Sequence, residues 1–212
     1  MVQAVADDGR LVALHANTRL REGAGGGAAV KESALVPALA THLRRLIAHL
    51  RWHGPLSCDL VLGPAGPVII AINPRLVEPM NAWFAGVDLL GTILTLARSE
   101  HPPPQPESRR GVRSRQLLVG ILGAAEHFRT GRAVLAELNT ASSCTADYGG
   151  AAEELTPWKG DPLALVPVGA ATVATLSWPS SWRWFAEGAV RHYALTPSVW
   201  RELITRAATG GH

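Results

Sequence analysis

An aspartate, an asparagine and an arginine on neighbouring extended segments are the residues of this chain best suited to chemistry. Leu56 to Leu62 and Val68 to Ile72 read as two strands joined across Gly63-Pro64-Ala65-Gly66-Pro67, since apolar runs bounded by glycine and proline favour a hairpin. Side chains on one face of a strand recur at every second residue, so Ile69, Ala71 and Asn73 are expected on one face, with Asp59 on the same face of the partner strand. A carboxylate and an amide oxygen are hard ligands of the kind magnesium accepts while it keeps water and phosphate oxygens in its shell. Arg75, just beyond the amide, is placed to give charge-assisted hydrogen bonds to those phosphates. Such a set serves phosphoryl transfer, in which metal and arginine neutralise charge on the terminal phosphate. Each residue also has a plainer reading: Asp59 as a solvated strand residue, Asn73 as a turn former before Pro74, and Arg75 as a surface ion-pair donor.

A second group lies upstream. The glycines Gly25, Gly26 and Gly27 form a run whose backbone amides can approach an anion without an intervening Cβ. There is no Gly-Lys-Ser/Thr ending, so a Walker-type phosphate loop is not supported, and a lid or plain loop explains the run as well. Lys31 follows it and is one of only two lysines in the chain. Lys31, Glu32 and Ser33 read as the start of a helix, with Ser33 as its cap.

The elements that must position these groups follow from periodicity. Val2 to Val5 and Leu11 to Leu14 flank Asp7-Asp8-Gly9-Arg10, an Asp-Gly hairpin signal. Leu35, Leu39, Leu43, Leu46, Ile47 and Leu50 recur at helical spacing until Gly54-Pro55 stops them. Asn73-Pro74-Arg75 ends the second hairpin. A further helix is expected from about Asn81 or Val87 to Ala97, with Leu89, Leu90, Ile93, Leu94 and Ala97 as its buried stripe. Residues 101–111, rich in proline and charge, read as a linker between a first unit over 1–100 and an accessory unit over 112–212. Helices are expected there over Arg115 to Phe128, Arg132 to Leu138 and Thr196 to Ala207, with Glu153 to Trp158 in a loop.

The run from Gly25 through Arg75 resembles the second half of an ATP-grasp domain, in the arrangement of the carbamoyl-phosphate synthase and biotin carboxylase group. The resemblance rests on the glycine run, the long helix, the hairpin, Ala71-Ile72-Asn73-Pro74-Arg75, and Gly86-Val87-Asp88-Leu89, which is similar to the segment that opens the family's next helix. It spans a little under half of the chain. It implies metal ligation by Asp59 and Asn73, phosphate contact and a catalytic role for Arg75, and a place beside the nucleotide or substrate for Lys31, Gly26 and Gly27. The implied ligands are ATP, magnesium and a small carboxylate, and the implied parent activity is ligation to an amine or thiol through an acyl phosphate. Ala71 departs from the pattern, since the family places its principal metal-ligating glutamate there. The family's preceding half is also absent before Met1, so completion by more chain, a partner or self-association is expected; the alternative is a non-catalytic relative acting as an interaction or regulatory protein.

Composition narrows the remaining classes. The net charge is +3 and the arginines are scattered, which argues against a nucleic-acid surface. The longest uncharged stretch, Leu163 to Pro179, contains Pro167 and Gly169 and reads as buried core, not a membrane span. Cys58 and Cys144 have no partner at metal-ligand spacing, the histidines form no ligand pair, and a reducing cytoplasmic location is expected. Trp158, Trp178, Trp182, Trp184 and Trp200 read as core and interface anchors. The expected fold is α+β: an ATP-grasp-like lobe of antiparallel strands with flanking helices, and a mainly helical accessory region.

Overall fold

The computed structural model describes residues 1–186 apart from 65, 157 and 159, together with 201 and 205. Among the described residues the strands are β1 (Val2–Asp7), β2 (Arg10–Glu22), β3 (Ala28–Ser33), β4 (Gly54–Gly63), β5 (Gly66–Asn73), β6 (Arg113–Arg115) and β7 (Ala152–Glu153). They form one seven-stranded sheet in the order β5-β4-β1-β2-β3-β6-β7. Neighbours are antiparallel except β6 and β7, which are parallel. The helices are α1 (Pro37–Leu50), α2 (Met80–Phe84), α3 (Leu89–Ala97), α4 (Leu117–Phe128), α5 (Gly131–Ser142) and α6 (Leu165–Ser177). The protein is therefore a mixed α+β fold on a mainly antiparallel sheet. Among the described residues no helix is long and apolar enough to cross a membrane.

The interior strand β1 is buried along its whole length because both faces of the sheet are covered there. Val2, Ala4 and Ala6 meet Leu39, Leu43 and Ile47 of α1 on one face. Val5 meets Val87, Leu89 and Leu96 on the other. Each fully buried aliphatic side chain of this kind contributes roughly 1.5–3 kcal/mol, so the α1 stripe is enough to fix that helix on the sheet. The β1–β2 turn forms as its sequence requires: Asp8 and Gly9 both have positive φ, 48° and 84°, as expected for a tight Asp-Gly turn that follows the strand twist.

Several local expectations change. Lys31, Glu32 and Ser33 belong to β3, and α1 begins at Pro37 after an uncapped Val36. Ser33 instead accepts a hydrogen bond from Val112 N–H at 2.8 Å and donates to Arg109 O at 2.6 Å. The helix expected up to Ala97 is split into α2 and α3, the latter capped by the Asp88 carboxylate on Gly91 N–H at 2.7 Å. Its buried stripe is Leu89, Thr92 and Leu96, while Leu90 and Leu94 face outward. In α6 only Val168, Ala171, Thr172 and Thr175 are buried, so the uncharged stretch is half surface. Trp178 and Trp184 are exposed and stack edge to face. The helix expected over 196–207 lies outside the described residues apart from 201 and 205.

Residues 101–111, read as a linker, lie bound along the sheet as a strap. Gln105 N–H donates to Val12 O at 2.8 Å, Arg109 N–H to Ala85 O at 2.9 Å and Gly111 N–H to Ser33 O at 3.0 Å. Beyond the strap β6 pairs with β3, with Lys31 opposite Ser114, so the later part of the chain extends the same sheet. Its helices pack against the end of that sheet: Arg21 of β2 forks onto Glu137 of α5, which also accepts the Tyr148 hydroxyl at 2.5 Å. α4 presses onto the glycine run, where Gly123 faces Gly23.

A Cβ at Gly123 would lie 2.6 Å from Gly23 Cα and 2.7 Å from its carbonyl carbon, and backbone atoms cannot rotate away. Gly123→Ala should lose about 1–2 kcal/mol net, the overpacking cost exceeding alanine's better helix propensity. Urea unfolding of the two proteins measures it; equal stability would mean that α4 does not pack closely on the glycine run.

Candidate functional site

A cleft of about 620 Å³ opens between the glycine run, β2, β3 and the β4–β5 hairpin. The sequence-predicted residues Lys31, Gly26, Gly27 and Asp59 all line it, together with Asn17, Arg19, Val61, Ile70 and Glu78. Asn73 and Arg75 are not among its lining residues; Asn73 is half-buried at the end of β5 and Arg75 is exposed just beyond it.

The hairpin register explains which side chains meet. Asp59 stands directly opposite Ala71, and Ser57 opposite Asn73, so Asp59, Ala71 and Asn73 share one face. Ile69 does not share it. The register shifts after Asp59, so that Leu60 faces Ile69, and both pack into the α1 core on the reverse side. The irregularity places Ile70 in the wall of the cleft.

Lys31 is the centre of the site. Its side chain is only 1% exposed, with Nζ 2.7 Å from Glu78 Oε2 and 2.8 Å from Glu154 Oε2. The ion-pair partner of Glu78 is this lysine, not the Arg75 three residues before it. An unpaired ammonium at such depth would cost several kcal/mol, so the two carboxylates are a condition of its burial. Glu154, fully buried, also accepts from Ser114 Oγ at 2.5 Å and from Gln116 Nε2 at 2.9 Å.

The hydrogen bonds behind Glu154 run in one direction. Asn81 Nδ2 donates to Ser114 Oγ at 2.7 Å and to Val112 O at 3.2 Å. Its Oδ1 must then accept, which makes His15 Nε2 the protonated nitrogen at 2.8 Å. His15 Nδ1 in turn accepts from Ser108 Oγ, 2.9 Å away on the strap. Burial pushes the His15 pKa down to about 4, with the nearby Lys31 charge adding to the effect against the opposing hydrogen bond that His15 donates to Asn81. The imidazole is thus neutral at ordinary pH, as the chain of donors requires.

The glycine run is held by its neighbours. Gly25 N–H donates to Glu126 Oε2 of α4 at 2.8 Å, and Arg19 donates to Gly26 O at 2.5 Å. Gly25 and Gly26 have φ of 62° and 75°, a conformation that glycine adopts without strain. One backbone amide of the run therefore already binds an anion, the internal carboxylate of Glu126.

Sequence reasoning missed Glu154, Ser114, Asn81, His15 and Glu126 as parts of the site. Glu154 falls in the segment that the sequence directs into a loop, and no local spacing links it to Lys31. The usable signal was alternation in Ala29-Val30-Lys31-Glu32-Ser33: as a strand, this run puts Lys31 on a covered face and demands a buried anion somewhere in the chain.

The His15 environment gives a pH dependence. The folded pKa, about 4, lies below the ordinary 6.5, so the unfolded chain binds the proton first and stability falls as pH drops from 6.5 through 4. The expected loss is about 3 kcal/mol over that window. Denaturant titrations should show His15→Gln less stable near pH 7 but with a flatter profile between those values; parallel profiles would mean that His15 titrates normally.

No protein-family model matches this chain and no curated protein matches it, so the functional reading rests on the geometry above.

Proposed function

We propose that the cleft binds ATP together with magnesium, and that the chain derives from an ATP-grasp ligase that activates a small carboxylate as an acyl phosphate for an amine or thiol acceptor. The observation that carries this reading is that Lys31, Gly26, Gly27 and Asp59, spread over separate stretches of sequence, line one cleft. Val61 and Ile70 give that cleft an apolar wall against which a base can pack. Lys31 has three N–H donors and its carboxylate partners account for two, which leaves one for a phosphate or carboxylate oxygen.

The donor set fits magnesium in a limited way. Asp59 and Asn73 lie on one face a single residue pair apart, the diagonal spacing of about 7–8 Å across which ligands can share an ion through water and phosphate oxygens. Among the described residues no group of three or more histidine, cysteine, aspartate or glutamate side chains could hold a metal, so the phosphates would complete the shell. When bound, magnesium supplies positive charge at the transferring phosphate. Asp59 and Asn73 would orient it, Arg75 at the exposed strand end would add charge-assisted donors, and Gly26 and Gly27 would border the phosphates.

Exposed apolar side chains on the β4–β5 hairpin support the expectation of a covering partner or second copy. Val61, Leu62 and Ile70 are exposed along the cleft, and Val68 and Ile72 are exposed elsewhere on the same two strands. Cys58 and Cys144 are both free, which suits a reducing cytoplasmic setting.

Ala71 favours the second reading, a relative that keeps the fold as an interaction or regulatory protein. It stands between Asp59 and Asn73 on the metal-facing side and offers no oxygen. Calorimetric titration with ATP in magnesium or in chelator separates the readings. The enzyme-derived reading expects binding that depends on magnesium and weakens about tenfold, or 1.4 kcal/mol, in Asp59→Asn. Ala71→Glu should raise the magnesium-dependent gain in melting temperature, because ligand binding to the folded state alone stabilises it. ATP binding that ignores both magnesium and Asp59, or no binding at all, would leave the non-catalytic reading.

A further inference from the structure

We infer that Glu154 is a positioning residue for the cleft: it anchors the Lys31 ammonium from behind, so that the remaining N–H of the lysine points at whatever oxyanion the cleft takes. The role toward a ligand rests on reading the cleft as the nucleotide-binding site; the anchoring stands on the geometry alone.

The two carboxylates on Lys31 differ in kind. Glu78 is 37% exposed at the cleft and sits at a φ of 50°, a left-handed backbone that a glutamate adopts only at some cost in strain. Glu154 is wholly buried, and both of its oxygens are engaged: Oε1 by Ser114, Oε2 by Lys31 and Gln116. Its backbone N–H is also fixed, on Arg115 O at 2.9 Å. Ser114 is in turn held by Asn81, Asn81 by His15, and His15 by Ser108. Glu154 therefore has one available position, and Lys31, directly across from Ser114 in the β3–β6 register, is set against it. Glu78 is the exchangeable partner and Glu154 the fixed one. This gives the region beyond the strap a part in the cleft that the amino-terminal elements cannot supply: the first hundred residues contribute the lysine but not its inner anion.

The chain has only two lysines, Lys31 and Lys159, which makes the test direct. Selective isotopic labelling of lysine nitrogen should give a Lys31 ammonium resonance protected from exchange with water, assigned by its loss in Lys31→Arg. Glu154→Gln keeps the shape and one acceptor oxygen but removes the charge, and should speed that exchange about tenfold or more. Glu154→Asp keeps the charge at a shorter reach and should recover part of the protection, which serves if the glutamine variant folds poorly. Glu78→Gln should leave the resonance protected. Unchanged exchange in Glu154→Gln, or full loss of protection in Glu78→Gln, would overturn the assignment of the anchor.

Calorimetry with magnesium-ATP as the probe reads the second half. Glu154→Gln and Lys31→Met should each weaken binding about tenfold, and the double variant should weaken it no further, because both act through one group. Additive losses, or wild-type affinity in Glu154→Gln once exchange has shown the lysine to be released, would remove the positioning role. A wild-type protein with a protected lysine resonance that binds no magnesium-ATP would sink the nucleotide reading and, with it, the ligand half of the proposal, while upholding the anchor.

Discussion

The buried ion pair of Lys31 with Glu154 is the constraint around which this structure is arranged. An ammonium taken out of water loses more solvation than one carboxylate returns unless the geometry is close and the remaining oxygens and protons are satisfied. Here that satisfaction draws on many separate parts of the chain. β3 brings the lysine, β6 brings Ser114, the turn after β7 brings the carboxylate, and Asn81 comes from α2. His15 of β2 and Ser108 of the strap complete the line. These elements must be in place together, and the sheet order that puts β6 beside β3 is the arrangement that allows it.

The sheet thereby acquires two unlike faces. Toward α1 it carries Val2, Ala4, Ala6, Leu56 and Cys58, an apolar surface that specifies little beyond shape and volume. On the other side, Gln3, His15 and Ser57 stand in register across β2, β1 and β4, and Asn17 and Ser33 across β2 and β3. The partnered groups of this face, His15 on Asn81 and Ser108, Ser33 on Arg109 and Val112, and Gln3 on Val77, fix relative positions directionally, as the apolar face does not. The cleft lies on the polar face, next to the elements whose positions are set most firmly.

Much of the amino-terminal half is legible from sequence because its signals are local. The Asp-Gly turn, the glycine-proline hairpin and the strand stop at Asn73-Pro74 each depend on residues a few positions apart and form where the sequence directs, and so does the middle of the α1 stripe, Leu39, Leu43 and Ile47, while Leu35, ahead of the helix, and Leu50, at its end, are exposed. Ser33 misleads because a serine before an apolar run serves equally as a helix cap or as a strand-end partner for the strap, and only the distant Arg109 and Val112 decide. The rotation of the α3 stripe has a similar origin: Thr92 satisfies its hydroxyl on Asp88 O at 2.5 Å and so tolerates burial that its polarity argues against. The Asp59 to Asn73 face was readable from alternation up to the register shift, which no residue type announces, and beyond it the parity of Ile69 reverses. Glu154 was out of reach of any local pattern, since its reason for burial is a charge more than a hundred positions earlier.

The separation of Lys31 from Glu154 along the chain also orders events during synthesis. Closing so long a loop is slow compared with forming the β1–β2 hairpin or α1, whose contacts are local. A ribosome that has released only the first hundred residues has exposed a strand lysine whose burial has no inner counter-ion. Until the segment after β7 emerges, β3 has reason to remain solvated or open at that point, and the edge that β6 will occupy is unpaired. The nascent chain thus keeps an exposed sheet edge at the place where its cleft will form, a window in which association with another chain competes with completion of the fold.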